Sequence, residues 1–275
     1  MEDFVDSQLY KRTTWLNKNI DFSFGSSITE YDMKSAGLSL IKEFKMLHDD
    51  EIQKLEALNK QSRNIKIGLM QKKNKGFAKE LLVNFVEARK RFIVSNRINE
   101  NNILSIKKDA IFVIDRECDI TDFGHIHFVP KNKYTSFIKL NKLEFYINTR
   151  TRQVDVKGLG QAIEDRQELH EYHDEYLLDF IIKFCSMREN MVERKITQRY
   201  LSSFVKKYLN KELPIGYYRE LDRAHPIRLR ISGMNKDICM REYDRIEDVI
   251  INFNYFMYIL PLVSLYIWPN KKSVV

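Results

Sequence analysis

The spacing of apolar residues changes twice along this chain, and that change restricts the fold more than any other feature. Residues 48–71 and 77–93 repeat apolar side chains every three to four positions, which predicts amphipathic helices, and the same spacing returns in residues 164–209. Short β-prone runs separated by turn residues lie between them, at residues 103–114, 125–130, 134–140, 143–148 and 153–156. Helices and strands that are segregated along the chain predict an α+β fold with an antiparallel sheet.

Two further elements are predicted outside this pattern. A short strand at residues 27–31 would deliver Asp32 at its end, and a last helix is expected at residues 245–260. In the helix over residues 77–93 one apolar face is predicted to pack, while Arg89 and its neighbour Lys90 point outward.

Positive charge is concentrated in two stretches. Residues 60–108 carry thirteen Lys and Arg against three Glu, a local charge of +10 that exceeds the +8 of the whole chain. Residues 131–157 carry seven Lys and Arg against two acids, and residues 164–179 compensate with seven acids against Arg166. Such an excess fits a polyanionic partner, most simply nucleic acid or nucleotide phosphates. A solvated Lys-rich face explains the charge alone equally well.

Composition excludes several classes of protein. A hydrophobic fraction of 44% can bury a substantial core, and three widely spaced cysteines favour a reducing compartment over a disulfide framework. The first residues lack the basic start and apolar run of a signal peptide, so no export is expected. Residues 249–268 have no formal charge, but their Asn, Tyr and Pro residues favour a buried helix ending near Pro261 over a membrane span.

Two aspartates are candidates for chemistry. Asp32 follows the strand at residues 27–31, and Asp109 sits within the β-prone run 103–114. If those strands are neighbours, the two carboxylates face one site and could hold two magnesium ions about 3.5–4 Å apart. Alternatively both are structural, with Asp109 ending a turn and Asp32 pairing with Lys34.

Five short segments of the sequence resemble known motifs. In chain order they read Asp-Met-Lys-Ser-Ala-Gly-Leu-Ser-Leu-Ile (32–41), Lys-Lys-Asp-Ala-Ile-Phe-Val (107–113), Lys-Asn-Lys-Tyr (131–134), Asp-Val-Lys-Gly-Leu (155–159) and Asn-Tyr-Phe-Met-Tyr-Ile-Leu-Pro (254–261). Together they resemble the palm and thumb of the B-family DNA polymerases. The first two are similar to that family's Asp-x-x-Ser-Leu-Tyr-Pro-Ser-Ile and Asp-Thr-Asp-Ser-Ile-Phe-Val motifs, and the next two to its Lys-Lys-Arg-Tyr and Asp-Val-Lys-Gly elements.

The resemblance implies a metal-dependent nucleotidyltransferase that extends a primed nucleic acid in DNA replication, using nucleoside triphosphates. Asp32 and Asp109 would be the catalytic carboxylates that bind Mg²⁺ or Mn²⁺. Four residues would hold the primer–template backbone through phosphate and sugar contacts: Lys131, Lys133, Tyr134 and Lys157.

The nucleotide site is less well defined. Lys60, Arg63 and Lys66 are spaced along one predicted helix and could meet a triphosphate, or could simply form a solvated face. The first acid of the family's Asp-Thr-Asp motif is replaced here by Lys107 and Lys108. That departure supports an alternative, a catalytically inactive palm-derived subunit that binds nucleic acid in a replication complex.

The implied architecture is a polymerase-like palm with small helical fingers and a helical thumb. The palm would occupy residues 1–160, with the fingers inserted at about residues 45–100, and the thumb-like region would occupy residues 161–275. No exonuclease domain is expected, since 31 residues precede Asp32. The expected location is cytoplasmic or nucleic-acid-associated, without a membrane, and a replication-complex protein is a possible partner.

Overall fold

The structure is a computed structural model that describes residues 13–140, 143–157, 178–218, 227–231, 234–238 and 244–249. Six α-helices and ten strands lie in this described part, and seven pairs of these strands are antiparallel. The predicted α+β class with an antiparallel sheet is therefore confirmed. The chain forms two compact units. Among the described residues, the N-terminal unit comprises residues 13–20 and 26–133, and the C-terminal unit comprises residues 21–25 and those between 134 and 249.

The strands of the N-terminal unit pair in the order β1, β3, β4, β2. They are β1 (Thr14–Leu16), β2 (Phe22–Met33), β3 (Ile103–Lys107) and β4 (Ala110–Ile114). The predicted strand at residues 27–31 is thus part of a longer β2. The run predicted over residues 103–114 is a hairpin, because Lys108 and Asp109 form a turn between β3 and β4. A short strand β5 (Asp122–Phe123) pairs with the beginning of β6 (Ile126–Leu140).

Four helices belong to the N-terminal unit: α1 (Ala36–Glu43), α2 (Asp49–Glu56), α3 (Lys60–Lys73) and α4 (Lys75–Ser95). The single helix predicted over residues 48–71 is wrong, because α2 ends and α3 restarts at Asn59. The Asn59 side chain accepts the Ser62 backbone N–H at 2.9 Å, which satisfies one of the unpaired donors of a new helix start. Asn74 caps α4 in the same way through the Phe77 N–H at 3.0 Å.

The core of this unit lies between the helices and one face of the sheet. Tyr31 and Met33 of β2 pack there with buried residues of α1 and with Phe92 of α4. The Phe92 ring lies 4.4 Å from that of Phe128, measured between centroids. Full burial of such a side chain contributes roughly 1.5–3 kcal/mol, so this layer holds α4 against the strands.

In the C-terminal unit the second half of β6 pairs with β7 (Leu143–Asn148), and β7 pairs with β8 (Gln153–Lys157). The predicted runs 125–130 and 134–140 are one continuous strand, β6. Helices α5 (Leu178–Glu189) and α6 (Arg194–Leu209) pack together, with the Phe180 and Phe204 rings 4.4 Å apart between centroids. A separate hairpin joins β9 (Ile227–Ile231) to β10 (Met234–Ile238).

Part of the predicted helical content lies outside the described residues. Helices α5 and α6 fall within the predicted helical region 164–209, of which residues 164–177 are not described. Of the helix predicted over residues 245–260, the described residues 245–249 contain a 3-10 turn at Ile246–Asp248 between extended Arg245 and Val249. Residues 250–260 lie outside the described part, as does most of the apolar stretch 249–268. None of the described helices combines the length and apolar character needed to cross a bilayer.

Candidate functional site

Alternate side chains of β2 point to opposite faces of the sheet, so one set enters the core and the other set faces the candidate site. Tyr31 and Met33 enter the helical core, so Glu30 and Asp32 project from the opposite face of the same strand. Glu30 is 4% exposed, whereas the Asp32 side chain keeps 29% of its surface. Two carboxylates are therefore two residues apart on one face of one strand.

The β3–β4 hairpin adds a third carboxylate to this region. Asp32 stands opposite Ala110 in the β2–β4 pairing, and the Met33 backbone N–H donates to the Asp109 carbonyl at 3.0 Å. Burial raises the pKa of Asp32, and the negative charge of Asp109 raises it further. The structure thus brings the two sequence-predicted aspartates together, although Asp109 lies in a turn and not within a strand.

A buried arginine supports the hairpin from behind. Arg89 is 2% exposed, and its guanidinium donates to the carbonyls of Thr13 at 2.8 Å and Lys108 at 3.0 Å. Burial lowers the pKa of Arg89 to about 10, while the nearby charge of Asp109 opposes that shift. The prediction that Arg89 points outward is wrong. Its position four residues after Phe85, on the apolar stripe of α4, was the signal that could have revealed it.

Lys131 and Asn132 of β6 complete the surroundings of the acids. The Lys131 ammonium lies 3.7 Å from Glu30 Oε1 and 3.7 Å from Asp32 Oδ2. The Asn132 side-chain amide donates to Glu30 Oε2 at 2.7 Å. Sequence reasoning did not identify Glu30 or Asn132, since their approach depends on the fold. We call Glu30, Asp32, Asp109 and Lys131 the acid cluster.

The three candidate nucleotide-binding residues occupy α3. Lys60, at the first turn, is exposed and close enough for its charge to counteract the raised pKa of Asp32. Arg63 is half-buried and is one of the charges that lower the pKa of Glu56, while Lys66 is exposed. The structure therefore places Lys60 near the acid cluster and gives no such link for the other two.

The remaining nucleic-acid-binding candidates lie at the end of the N-terminal unit and in the C-terminal unit. Lys133 is exposed on β6, and Lys157 is half-buried on β8, opposite Glu144 of β7. Tyr134 is 2% exposed, and its hydroxyl donates to the Asp155 carboxylate. The Tyr134 ring therefore supports the sheet and is not displayed on its surface.

The donor set limits how a metal could bind. Among the described residues no group of three or more His, Cys, Asp or Glu side chains is arranged to hold a metal ion. Carboxylate oxygens are nevertheless the ligands that magnesium prefers, and Mg²⁺ is usually held by one or two carboxylates together with substrate phosphates. The Lys131 ammonium beside Asp32 indicates that this position accepts positive charge. Asp32 and Asp109 thus provide the kind of oxygen ligand that would suit magnesium.

The two histidines of the β5–β6 hairpin make contacts with residues outside the acid cluster. The His127 imidazole contacts the Asp122 carboxylate, and the His125 backbone N–H donates to Glu43 at 2.9 Å. Glu43 also accepts from Arg91 at 2.8 Å. These contacts fasten the hairpin to α1 and α4.

One known protein family matches nearly the whole chain. The model of the family described as bacteriophage PBS1 gene 130 protein matches residues 5–266. No curated protein matches the sequence. Because the family match extends over most of the chain, the protein belongs to the bacteriophage PBS1 gene 130 protein family.

Proposed function

We propose that this protein is a metal-dependent nucleotidyltransferase that extends a primed nucleic acid. The observation that carries the proposal is the approach of Asp109, in the turn before β4, to Asp32, which lies on the face of β2 opposite the helical core: the Met33 N–H donates to the Asp109 carbonyl, and the Asp109 charge acts on Asp32. The B-family polymerase resemblance supports the same pair of residues, since it predicted both aspartates from sequence motifs.

In this mechanism Asp32 and Asp109 would hold Mg²⁺ or Mn²⁺ together with the nucleotide phosphates. When bound, the metal would neutralise phosphoryl charge and activate the attacking hydroxyl. Lys60 contacts the triphosphate from the start of α3, joined by Arg63 and Lys66 where the bound nucleotide reaches them. Arg89 keeps the β3–β4 turn in place, so that the Asp109 carboxylate stays beside Asp32.

Nucleic acid is held by charge and not by base contacts. Lys131, Lys133 and Lys157 bind primer–template phosphates, and Tyr134 orders the sheet beneath them. Affinity should therefore fall as salt rises, with little dependence on sequence. The palm would comprise residues 1–160, the fingers the helices at about residues 45–100, and the thumb residues 161–275.

A specific observation favours a second candidate, an inactive nucleic-acid-binding subunit of a replication complex. Lys107 and Lys108 stand where the polymerase motif has its first acid, and the Lys131 ammonium lies against Asp32. The first feature removes a carboxylate that would help to hold a catalytic metal, and the second places positive charge where that metal would bind. In this alternative the basic residues bind a nucleic-acid backbone and no bond is made.

Primer extension separates the two candidates. The full-length chain is incubated with labelled DNA and RNA primer–templates, Mg²⁺ or Mn²⁺, and deoxy- or ribonucleoside triphosphates. We expect extension by the wild type and a loss of roughly a hundredfold or more in Asp109→Asn, with primer–template affinity nearly unchanged. Asp119→Asn, which alters an exposed acid of the 115–122 loop, is the matched control. Binding without extension under every condition favours the inactive subunit.

A further inference from the structure

Lys131 occupies an unusual position for a residue expected to contact nucleic acid. Its ammonium is 3.7 Å from one carboxylate oxygen of Glu30 and 3.7 Å from one of Asp32, so a single positive charge lies between two negative ones. The Lys131 side chain is nevertheless 54% exposed. The charge is therefore placed at the acids by contacts that a flexible, solvated side chain can leave.

Glu30 fixes where that ammonium rests. Its side chain is 5% exposed and its other oxygen accepts the Asn132 amide at 2.7 Å, so the carboxylate is held in one orientation. A buried carboxylate is costly without a compensating charge or hydrogen bonds, and Lys131 supplies the charge. Glu30 thereby holds Lys131 next to Asp32, which is the more exposed of the two acids.

We propose that Lys131 is a regulatory cation of the acid cluster, which neutralises Glu30 and Asp32 until a divalent cation binds at Asp32 and displaces it. This inference rests on the proposed function, because it concerns the same metal. A lysine ammonium and a divalent cation repel each other at contact distance, so both cannot occupy one oxygen of Asp32.

The released ammonium has a use in the proposed reaction. A lysine is a compact charge on a flexible four-carbon stem, which suits movement from a carboxylate to a phosphate oxygen nearby. The Lys131 ammonium would then become available to a phosphate only after the metal has bound. Binding of the divalent cation alone would be weak, because it must first displace Lys131.

The test measures Mn²⁺ binding to the full-length protein without nucleotide, by electron paramagnetic resonance of free Mn²⁺. Lys131→Met removes the charge and keeps the length of the side chain, and we expect it to bind Mn²⁺ about tenfold more tightly than the wild type. Lys131→Arg retains the charge and should stay close to the wild type. Lys34→Met removes an exposed charge just beyond the end of β2 and is the control, with a change below about twofold.

The outcomes distinguish failure of the proposed role of Lys131 from failure of the proposed metal site. If Asp32→Asn abolishes Mn²⁺ binding while Lys131→Met leaves it equal to or weaker than the wild type, the metal site stands and the role of Lys131 is refuted. If Mn²⁺ binding survives Asp32→Asn, the proposed metal site itself fails; if neither the wild type nor Lys131→Met binds the ion without nucleotide, the role of Lys131 as its competitor is refuted. Circular dichroism of each variant confirms that the comparison is between folded proteins.

Discussion

The two units treat their carboxylates differently. In the C-terminal unit, Glu144 is 1% exposed and accepts the Tyr146 hydroxyl at 2.8 Å. Glu189 accepts the hydroxyls of Ser136 and Thr149, each at 2.5 Å. These donors are neutral hydroxyls, from the same strand for Glu144 and from β6 and the turn after β7 for Glu189, and they satisfy the acids without a charge.

The acid cluster of the N-terminal unit has a different chemistry. Burial and the charge of the nearby Asp109 raise the pKa of Asp32, and the Lys131 ammonium lies 3.7 Å from its Oδ2. Neutral hydroxyl donors stabilise the folded chain, whereas like charges held together cost stability unless a cation joins them. The difference identifies Glu144 and Glu189 as structural and Asp32 and Asp109 as the candidates for chemistry.

The largest expected effect is the loss of a structural acid. Glu189→Ala leaves the hydroxyls of Ser136, which is fully buried, and Thr149 without their acceptor. We expect the free energy of unfolding to fall by about 2–4 kcal/mol, measured by urea denaturation. Glu193→Ala, at an exposed carboxylate between α5 and α6, should change it by less than about 0.5 kcal/mol. Equal effects of the two substitutions would remove Glu189 from the structural class.

A smaller loss is expected at the buried arginine behind the hairpin. Arg89→Met keeps most of the side-chain volume but withdraws the donors from the Thr13 and Lys108 carbonyls. The free energy of unfolding should fall by about 1–3 kcal/mol, measured by urea denaturation. Lys90→Met, one position along α4, is the control and should stay near the wild type. An unchanged Arg89→Met would show that the hairpin does not depend on this contact.

Asp32 should behave in the opposite way to Glu189. Because its pKa is raised in the folded chain, the charged carboxylate carries a penalty that is absent below the ordinary pKa of 3.8 and complete above the folded pKa. Asp32→Asn removes this penalty, so the free energy of unfolding at pH 7 should rise slightly or stay within about 0.5 kcal/mol. The difference from the wild type should shrink as pH falls toward 3.8. A clear loss of stability at pH 7 would make Asp32 a structural residue.

The smallest effect with a defined sign belongs to Glu43. The His125 N–H and the Arg91 guanidinium lower the pKa of Glu43, so its stabilisation is present above the ordinary value of 4.5 and is lost as pH falls through the folded pKa. Glu43→Gln should cost less than about 1 kcal/mol at pH 7 and nothing in acid. Thermal unfolding across this pH range measures it, with the exposed Glu80→Gln as the control. A pH dependence of the same sign as that of Asp32 would contradict the assignment.

These residues also show how far the sequence could predict the molecule. The spacing of apolar residues identified β2 and the buried face of α4, because period alone decides which side chains share a face. It misplaced Arg89, since a long basic side chain can be buried when its guanidinium finds backbone carbonyls. The spacing also predicted α2 and α3 as one helix, because the apolar stripe continues past the cap formed by Asn59.

The residues of the candidate site were likewise predicted only in part. Asp32 and Asp109 were predicted from motifs, and their proximity followed from pairing two neighbouring strands. Glu30 gave no signal, since an acid in a strand looks the same whether it faces solvent or Asn132. The contact of Lys131 with both acids depends on the pairing of distant parts of the chain, which no local pattern encodes.

The most direct test of the central claim is a crystal structure of the full-length protein with Mn²⁺, a primer–template and a non-hydrolysable nucleoside triphosphate. The account predicts an anomalous manganese peak within about 2.0–2.3 Å of carboxylate oxygens from both Asp32 and Asp109, with the triphosphate as a further ligand. A peak bound only at other acids, such as those of the 115–122 loop, or primer–template and nucleotide bound with no manganese at Asp32, would contradict it.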